Sequence, residues 1–257
     1  MSSTNVRDAS LQFGRVFSRT FDVIGSNIVS FTMLSLLLYA VPDLAFRTLF
    51  AFARSAVPGG AWLVGLVGGL VAMILGFILQ GCLVHGTVAY LQGKPASVGA
   101  GLGAGLRAFL PLLALSIVMG LLEMVAFFLF IIPGLVAMTV WSVAIPVLVV
   151  ERNHGVSGSM DRSADLTRDN RWNVFALLLI FGILGWIINV LAIGLGGGLG
   201  AMARGAPVEG ATVSLAVQSV VAALVGMVGA VGAASLYFEL RSLREGVGVA
   251  ELASVFD

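Results

Sequence analysis

Residues 109–172 read FLPLLALSIVMGLLEMVAFFLFIIPGLVAMTVWSVAIPVLVVERNHGVSGSMDRSADLTRDNRW, and the class of the whole chain follows from how that stretch divides. Phe109 to Ile131 is apolar apart from one carboxylate, Glu123. Ile132-Pro133-Gly134 is expected to turn the chain tightly, and Leu135 to Val150 to run back. Polarity then switches at Glu151. Glu151 to Arg171 holds eight of the chain's 14 basic and 13 acidic residues. An apolar hairpin with a nearly uncharged turn on one side and a dense mixed-charge loop on the other is a membrane signature.

Composition agrees. Hydrophobic residues make up 59% of the 257 residues and charged residues 11%, against roughly 45–50% and about 25% in soluble domains. A hydrocarbon core of about 30 Å takes about 20 apolar residues per helix. The chain therefore has room for about six spans with short loops and none for a separate catalytic domain. The expected fold is all-α: an integral membrane bundle of six transmembrane helices, at about 28–46, 61–90, 109–131, 135–150, 172–200 and 212–238. A formal net charge of +1 gives nucleic acid nothing to bind. Cys82, the single cysteine, lies in an apolar run and implies neither a disulfide nor a metal cluster.

Outward from the hairpin, amphipathic segments recur. In residues 1–27, Leu11, Phe13, Val16, Phe17, Thr20, Phe21 and Ile24 share one helical face, with Arg15, Arg19 and Asp22 off it. This predicts a helix in the membrane interface, its arginines toward headgroups. A signal peptide is the competing reading, opposed by the long polar lead and the lack of a small-x-small cleavage site. Pro42 and Asp43 are expected to kink or end the first span, and Arg47 to Gly60 to form a loop whose Leu49, Phe50, Phe52 and Trp62 lie on the membrane surface. Gln92 to Arg107 reads as a Gly-rich connector, with Val98, Leu102 and Leu106 on a short interfacial helix. Small residues repeat at spacing four in Gly68, Ala72, Gly76 and Gln80, and again in Ala222, Gly226 and Ala230, a pattern by which membrane helices approach closely. Gly182, Gly185, Asn189, Ala192 and Gly196 line another face. The glycine runs Gly101 to Gly105 and Gly194 to Gly200 follow no strand and read as flexible joints or close helix contacts. Polar exits containing Gly93, Gly155 and Gly246 suggest a threefold internal repeat of hairpins with elbow helices.

Arginine placement sets the orientation. With the N-terminus inside, Arg7, Arg15, Arg19, Lys94, Arg107, Arg152, Arg162, Arg168, Arg171, Arg241 and Arg244 are cytoplasmic, and only Arg47, Arg54 and Arg204 lie outside. Both termini are expected in the cytoplasm, in a bacterial inner membrane.

Glu123 is the one formal charge well inside a span. At about 1.5 Å per residue it lies about 21 Å from Phe109, and Asn189 lies about 25 Å from Trp172, so the two are candidates to meet. Gln80 is the third candidate for an intramembrane polar site, although it and His85 match that depth poorly. One reading is a proton-coupling or ligand-binding carboxylate; the other is a neutral acid joining two helices. Asp161, Asp165 and Asp169 stack at spacing four, with Arg162, Arg168 and Arg171 close enough to neutralise them. His85 and His154 lack partners at ligand spacing, so no metal and no cofactor is expected. No Gly-x-Ser-x-Gly, His-Glu-x-x-His or phosphate-cradling loop occurs, and no intramembrane aspartate pair. Catalysis has no candidate residues.

Several stretches form one pattern: Ile132-Pro133-Gly134, then Ala144-x-Pro146 leading to Glu151, then Arg162-Ser163-x-x-Leu166-Thr167 before Trp172. Tyr237-x-Glu239-Leu240-Arg241 with Glu245-Gly246 forms another, and Phe13-Gly14-Arg15-Val16-Phe17 to Pro42 fits with both. Together they resemble a family of uncharacterised bacterial inner-membrane proteins related to the membrane domain fused to some glycerophosphodiester phosphodiesterases. Asp169-Asn170 stands where those relatives tend to have a glycine. The resemblance implies a multi-span helical membrane protein and no catalytic residues, since the phosphodiesterase domain is absent from this sequence. The expected role is that of a non-enzymatic protein that organises membrane or binds lipids and protein partners, itself included as a homo-oligomer. Arg162, Arg168, Arg171 and Arg241 are the expected loop or headgroup contacts. The alternative is a small-molecule or proton-coupled transporter built around Glu123.

Overall fold

A computed structural model describes residues 11–56, 61–151, 154–195 and 212–245. Arg7, Arg152, Asn153, Arg204, the loop at 201–211 and the chain from Gly246 onward lie outside the described residues. Among the described residues there is no strand. The helices are α1 (Phe13–Ser26), α2 (Ile28–Ser35), α3 (Val41–Ala56), α4 (Ala61–Leu91), α5 (Val98–Leu129), α6 (Ile131–Val140), α7 (Ala144–Val150), α8 (Gly155–Thr167), α9 (Arg171–Leu195) and α10 (Thr212–Glu245). Among the described residues, six stretches are long and apolar enough to cross a membrane: Ile28–Arg54, Ala61–Leu91, Val98–Leu129, Ile131–Val150, Arg171–Gly194 and Ser214–Glu245. The protein is an all-α membrane bundle, with α1 and α8 as short amphipathic elbows.

α10 is the axis of the bundle. Its span is 50% buried inside the protein, against 11% for the spans of α4, α5 and α9, and it packs against α1, α2, α3, α4, α7, α8 and α9. Small side chains such as Ala223, Ala230, Ala234 and Ser235 are buried on it, which lets so many helices approach.

Proline does not end the first span. A prolyl ring clashes with the carbonyl four residues back and donates no hydrogen bond. Here a π-helical turn at Leu36–Ala40 precedes Pro42, and the Val41 amide donates to the Leu36 carbonyl, five residues back. The widened turn accommodates the ring. The helix then runs on to Ala56, so the loop expected from Arg47 is helical as far as that residue. Arg47 Nε donates to Asp43 Oδ2 at 2.7 Å, one turn earlier.

The glycine-rich connector is also helical. Ser97 caps α5, its Oγ accepting from the Ala100 amide at 3.5 Å. The expected elbow at Val98 to Leu106 is therefore the first part of a 32-residue helix. Its glycines are contact surfaces, not joints. A Cβ on Gly105 would run into the Ile78 carbonyl, one on Gly81 would stand 2.8 Å from Gly105 Cα, and one on Gly101 2.6 Å from Cys82 Sγ. The α4–α5 crossing thus depends on missing side chains, and the packing gained offsets the low helix propensity of glycine. The stripes read from spacing alone divide: Gly76, Gly182, Gly226 and Gly229 have nothing within 4 Å of an added Cβ, whereas one on Gly68 would run into the Phe46 ring and one on Gly185 would stand 3.2 Å from Val225.

The hairpin turns at Phe130, which is extended (φ −161°, ψ 156°). Pro133 sits in the first turn of α6, where a missing amide costs little. The returning span is broken at Trp141 to Val143, so Leu135 to Val150 is not one helix. The threefold repeat is not regular either. Gly93 (φ +73°) closes α4, with the Lys94 amide donating to the Ala89 carbonyl at 2.9 Å, whereas Gly155 (φ +62°) opens α8.

Candidate functional site

Polar side chains from distant parts of the sequence converge where α1, α7, α8 and α10 meet. Tyr237, Arg241 and Glu245 occur at spacing four, which stacks them on one face of the last turns of α10. Tyr237 is buried, and its hydroxyl donates to Glu151 Oε1 at 2.7 Å and accepts from the Arg241 guanidinium at 3.1 Å. Arg241 Nε also donates to Glu245 Oε2 at 2.7 Å. From α8, Arg162 donates to Glu151 Oε2 at 3.2 Å and to Glu245. Two carboxylates and two guanidiniums thus close a ring around one phenol. Burial works against the charge on Arg162, and the fields of Glu151 and Glu245 more than offset it, so its guanidinium holds its proton above the usual arginine range.

A second cluster lies on the other side of α10. Glu239 is 1% exposed; Arg19 donates to its Oε2, and Arg15 Nε lies 3.0 Å from its Oε1. The Arg15 contact is ionic, because Oε1 accepts no hydrogen bond of good geometry. The Arg19 guanidinium also lies over the Phe238 ring, 5.1 Å from its centroid. α1 is therefore held on α10, with Val16, Thr20 and Val23 fully buried beneath it. Its arginines meet a buried carboxylate where headgroups were expected.

α8 seals the break in the fourth span. The Val140 carbonyl, at the end of α6, accepts from Ser163 Oγ at 2.8 Å and from Thr167 Oγ1 at 3.4 Å. Both hydroxyls are buried. Without them that carbonyl would be an unpaired polar group. Asn170 in turn ties the N-terminal segment to the start of α9, its Oδ1 accepting from the Leu11 amide at 3.0 Å.

A polar cavity of about 760 Å³ opens at this end, lined by Glu151, His154, Asp161, Arg162, Asp165, Arg241 and Glu245. Its charges are largely paired within the protein. No group of three or more His, Cys, Asp or Glu side chains among the described residues is placed to hold a metal. Two of the three stacked aspartates are met from α10 and not by the neighbouring arginines: Arg244 lies 2.7 Å from Asp169 and 3.9 Å from Asp165.

The expected headgroup contacts therefore divide. Arg162 and Arg241 are turned into the ring. Arg168 and Arg171 are exposed, and their side chains make no hydrogen bond or ion pair among the described residues. Trp172 beside them is 84% exposed and meets Phe175 edge-on at 6.4 Å.

The expected intramembrane site is not assembled. Gln80 lines a cavity of about 630 Å³ between α4 and α10, with Tyr39, Gly76, Gly226 and Gly229. Its neighbour Gly81 meets Gly105, and Glu123 lies 18 residues further along α5, about 27 Å away. Asn189 donates back to the Gly185 carbonyl at 2.9 Å, so its amide is engaged within α9. No hydrogen bond joins it to Glu123, and α6 packs against both of their helices. Sequence reasoning missed Glu151, Tyr237 and Glu239 as site residues. The signal was present in the spacing of 237, 241 and 245 and in carboxylates placed within four residues of arginines at a span's end.

Comparison of the chain with protein-family models, with curated proteins and with solved structures finds no match.

Proposed function

We propose that this membrane protein acts without catalysis, as an organiser of the bilayer that holds anionic lipid headgroups at its charged end through Arg168 and Arg171. One observation carries this reading: of the described basic residues around the ring, these two have exposed side chains with no partner among the described residues, beside an exposed tryptophan at the end of a span. Tryptophan favours the headgroup level, and each basic residue near an anionic surface contributes about 1 kcal/mol of attraction. The described basic residues Arg15, Arg19, Lys94, Arg107, Arg162, Arg168, Arg171, Arg241 and Arg244 belong to segments on this side, and Arg47 and Arg54 to the other. That asymmetry supports a cytoplasmic charged end in a bacterial inner membrane. The ring then fixes α8, and the Glu239 clamp fixes α1, whose preceding Leu11 amide bonds Asn170 at the start of α9.

The test is native mass spectrometry of the protein released from nanodiscs of mixed anionic and zwitterionic lipid. Wild type is expected to retain anionic lipid preferentially, and the Arg168→Gln/Arg171→Gln double variant to lose that preference. Equal retention of both lipids by wild type would refute the proposal.

The transporter reading keeps support from a different place than expected. The cavity at Gln80 and Tyr39 lies between spans, and glycines leave it open. Labelling of a cysteine placed at Gly76 from both sides of the membrane would favour transport; labelling from neither side would remove it.

A further inference from the structure

One face of α5 is covered by its neighbours as far as Leu115, and its last third has no buried residue. Leu112 and Leu115 are fully buried. The face they begin continues through Ser116, Gly120 and Glu123, and there the cover ends. A Cβ added to Gly120 meets nothing within 4 Å. Glu123 is half-buried and makes no hydrogen bond or ion pair among the described residues.

The residues beside Glu123 in sequence offer it nothing polar. Its neighbours Leu121 and Met124 are 55% and 61% exposed, and Phe128 at the hairpin tip is 92% exposed. From Met124 to Met138 no side chain carries a hydrogen-bonding group. Lipid tails cover apolar side chains well, but they cannot satisfy a carboxyl group. Among the described residues no group completes it, and a second membrane helix can.

We infer that this partner is a second copy of the chain, with the two α5 helices crossing at Gly120 and the Glu123 carboxyl groups hydrogen-bonded to each other across a two-fold axis. A carboxylic acid in its protonated form has both a donor and an acceptor, so it is its own complement. A two-fold interface brings the same patch from each copy together. Gly120, one turn from Glu123, lets the two backbones approach closely enough for short side chains to meet. The apolar flank at Met124 then packs on its counterpart, and Leu121, nearly opposite Glu123 on the helix, faces lipid. Arg168 and Arg171 are not involved, so this interface and the proposed lipid site stand or fall separately.

The test uses the full chain in lipid vesicles, with dimer fraction followed by single-molecule photobleaching as the protein is diluted in lipid. Wild type is expected to dimerise. Glu123→Leu is expected to raise the dissociation constant about tenfold, and Glu123→Gln, which keeps a donor and an acceptor, less than threefold. In a Cys82→Ala background, Gly120→Cys is expected to cross-link under oxidation and Leu121→Cys not. The cross-link test does not depend on the folding of the Glu123 variants. A wild-type chain that stays monomeric at every dilution would overturn the inference. So would a Glu123→Leu dimer as tight as wild type, or equal cross-linking at positions 120 and 121.

Discussion

Glu239 and Glu123 are both carboxylates on membrane-spanning helices, and the bundle treats them in opposite ways. Glu239 is enclosed by α1 and α10 and clamped by Arg15 and Arg19, whereas Glu123 reaches the end of a covered stripe and finds no partner among the described residues. The same contrast holds for the glycines. At the α4–α5 crossing they admit a neighbouring backbone, while Gly120, Gly182, Gly226 and Gly229 face open space. The comparison teaches that one end of the bundle is closed within itself, by ion pairs and backbone contact. The remaining surface is left for other molecules.

The contrast is broken most severely at the crossing. Gly105→Leu has no room against the Ile78 carbonyl and is expected to cost about 3 kcal/mol or more, or to prevent folding. Gly182→Ala, facing open space, is the matched control and is expected to stay within about 0.5 kcal/mol. Thermal unfolding in detergent compares the two. Next comes Glu239→Leu, which removes the anchor of α1 but leaves two arginines that reach water, for a loss of about 2 kcal/mol. Protease susceptibility near Arg19 should rise with it. If α1 stays protected, its buried apolar face holds it and the clamp is incidental. Smaller again is Ser163→Ala, which strips one of two hydroxyls from the Val140 carbonyl, for about 1 kcal/mol. The smallest stability effect is expected from Arg168→Gln with Arg171→Gln, within about 0.5 kcal/mol. That pair should weaken binding of anionic lipid by roughly fivefold per residue.

The bundle was legible in the sequence because apolar runs of span length bounded by charge have few other solutions. Boundaries were misread where a breaker residue has a tertiary answer: Pro42 is met by a π turn, and Gly101 to Gly105 by the backbone of α4. Depth counting from span ends placed Glu123 and Asn189 at similar heights, but height does not say which helices are neighbours. α6 packs against both helices, and Asn189 bonds to its own turn. The charged ring joins residues 86 positions apart in sequence, Glu151 and Tyr237. Local spacing showed each half of that pair, and only the packing of α7 on α10 joins them.

The most direct measurement on the lipid-binding account is fluorescence of Trp172 as the only tryptophan, after Trp62→Phe, Trp141→Phe and Trp186→Phe, in vesicles carrying brominated lipid. The account predicts that brominated anionic lipid quenches Trp172 more strongly than brominated zwitterionic lipid at equal mole fraction. It also predicts that the difference disappears with Arg168→Gln/Arg171→Gln. Equal quenching by the two lipids in the otherwise intact chain would contradict it.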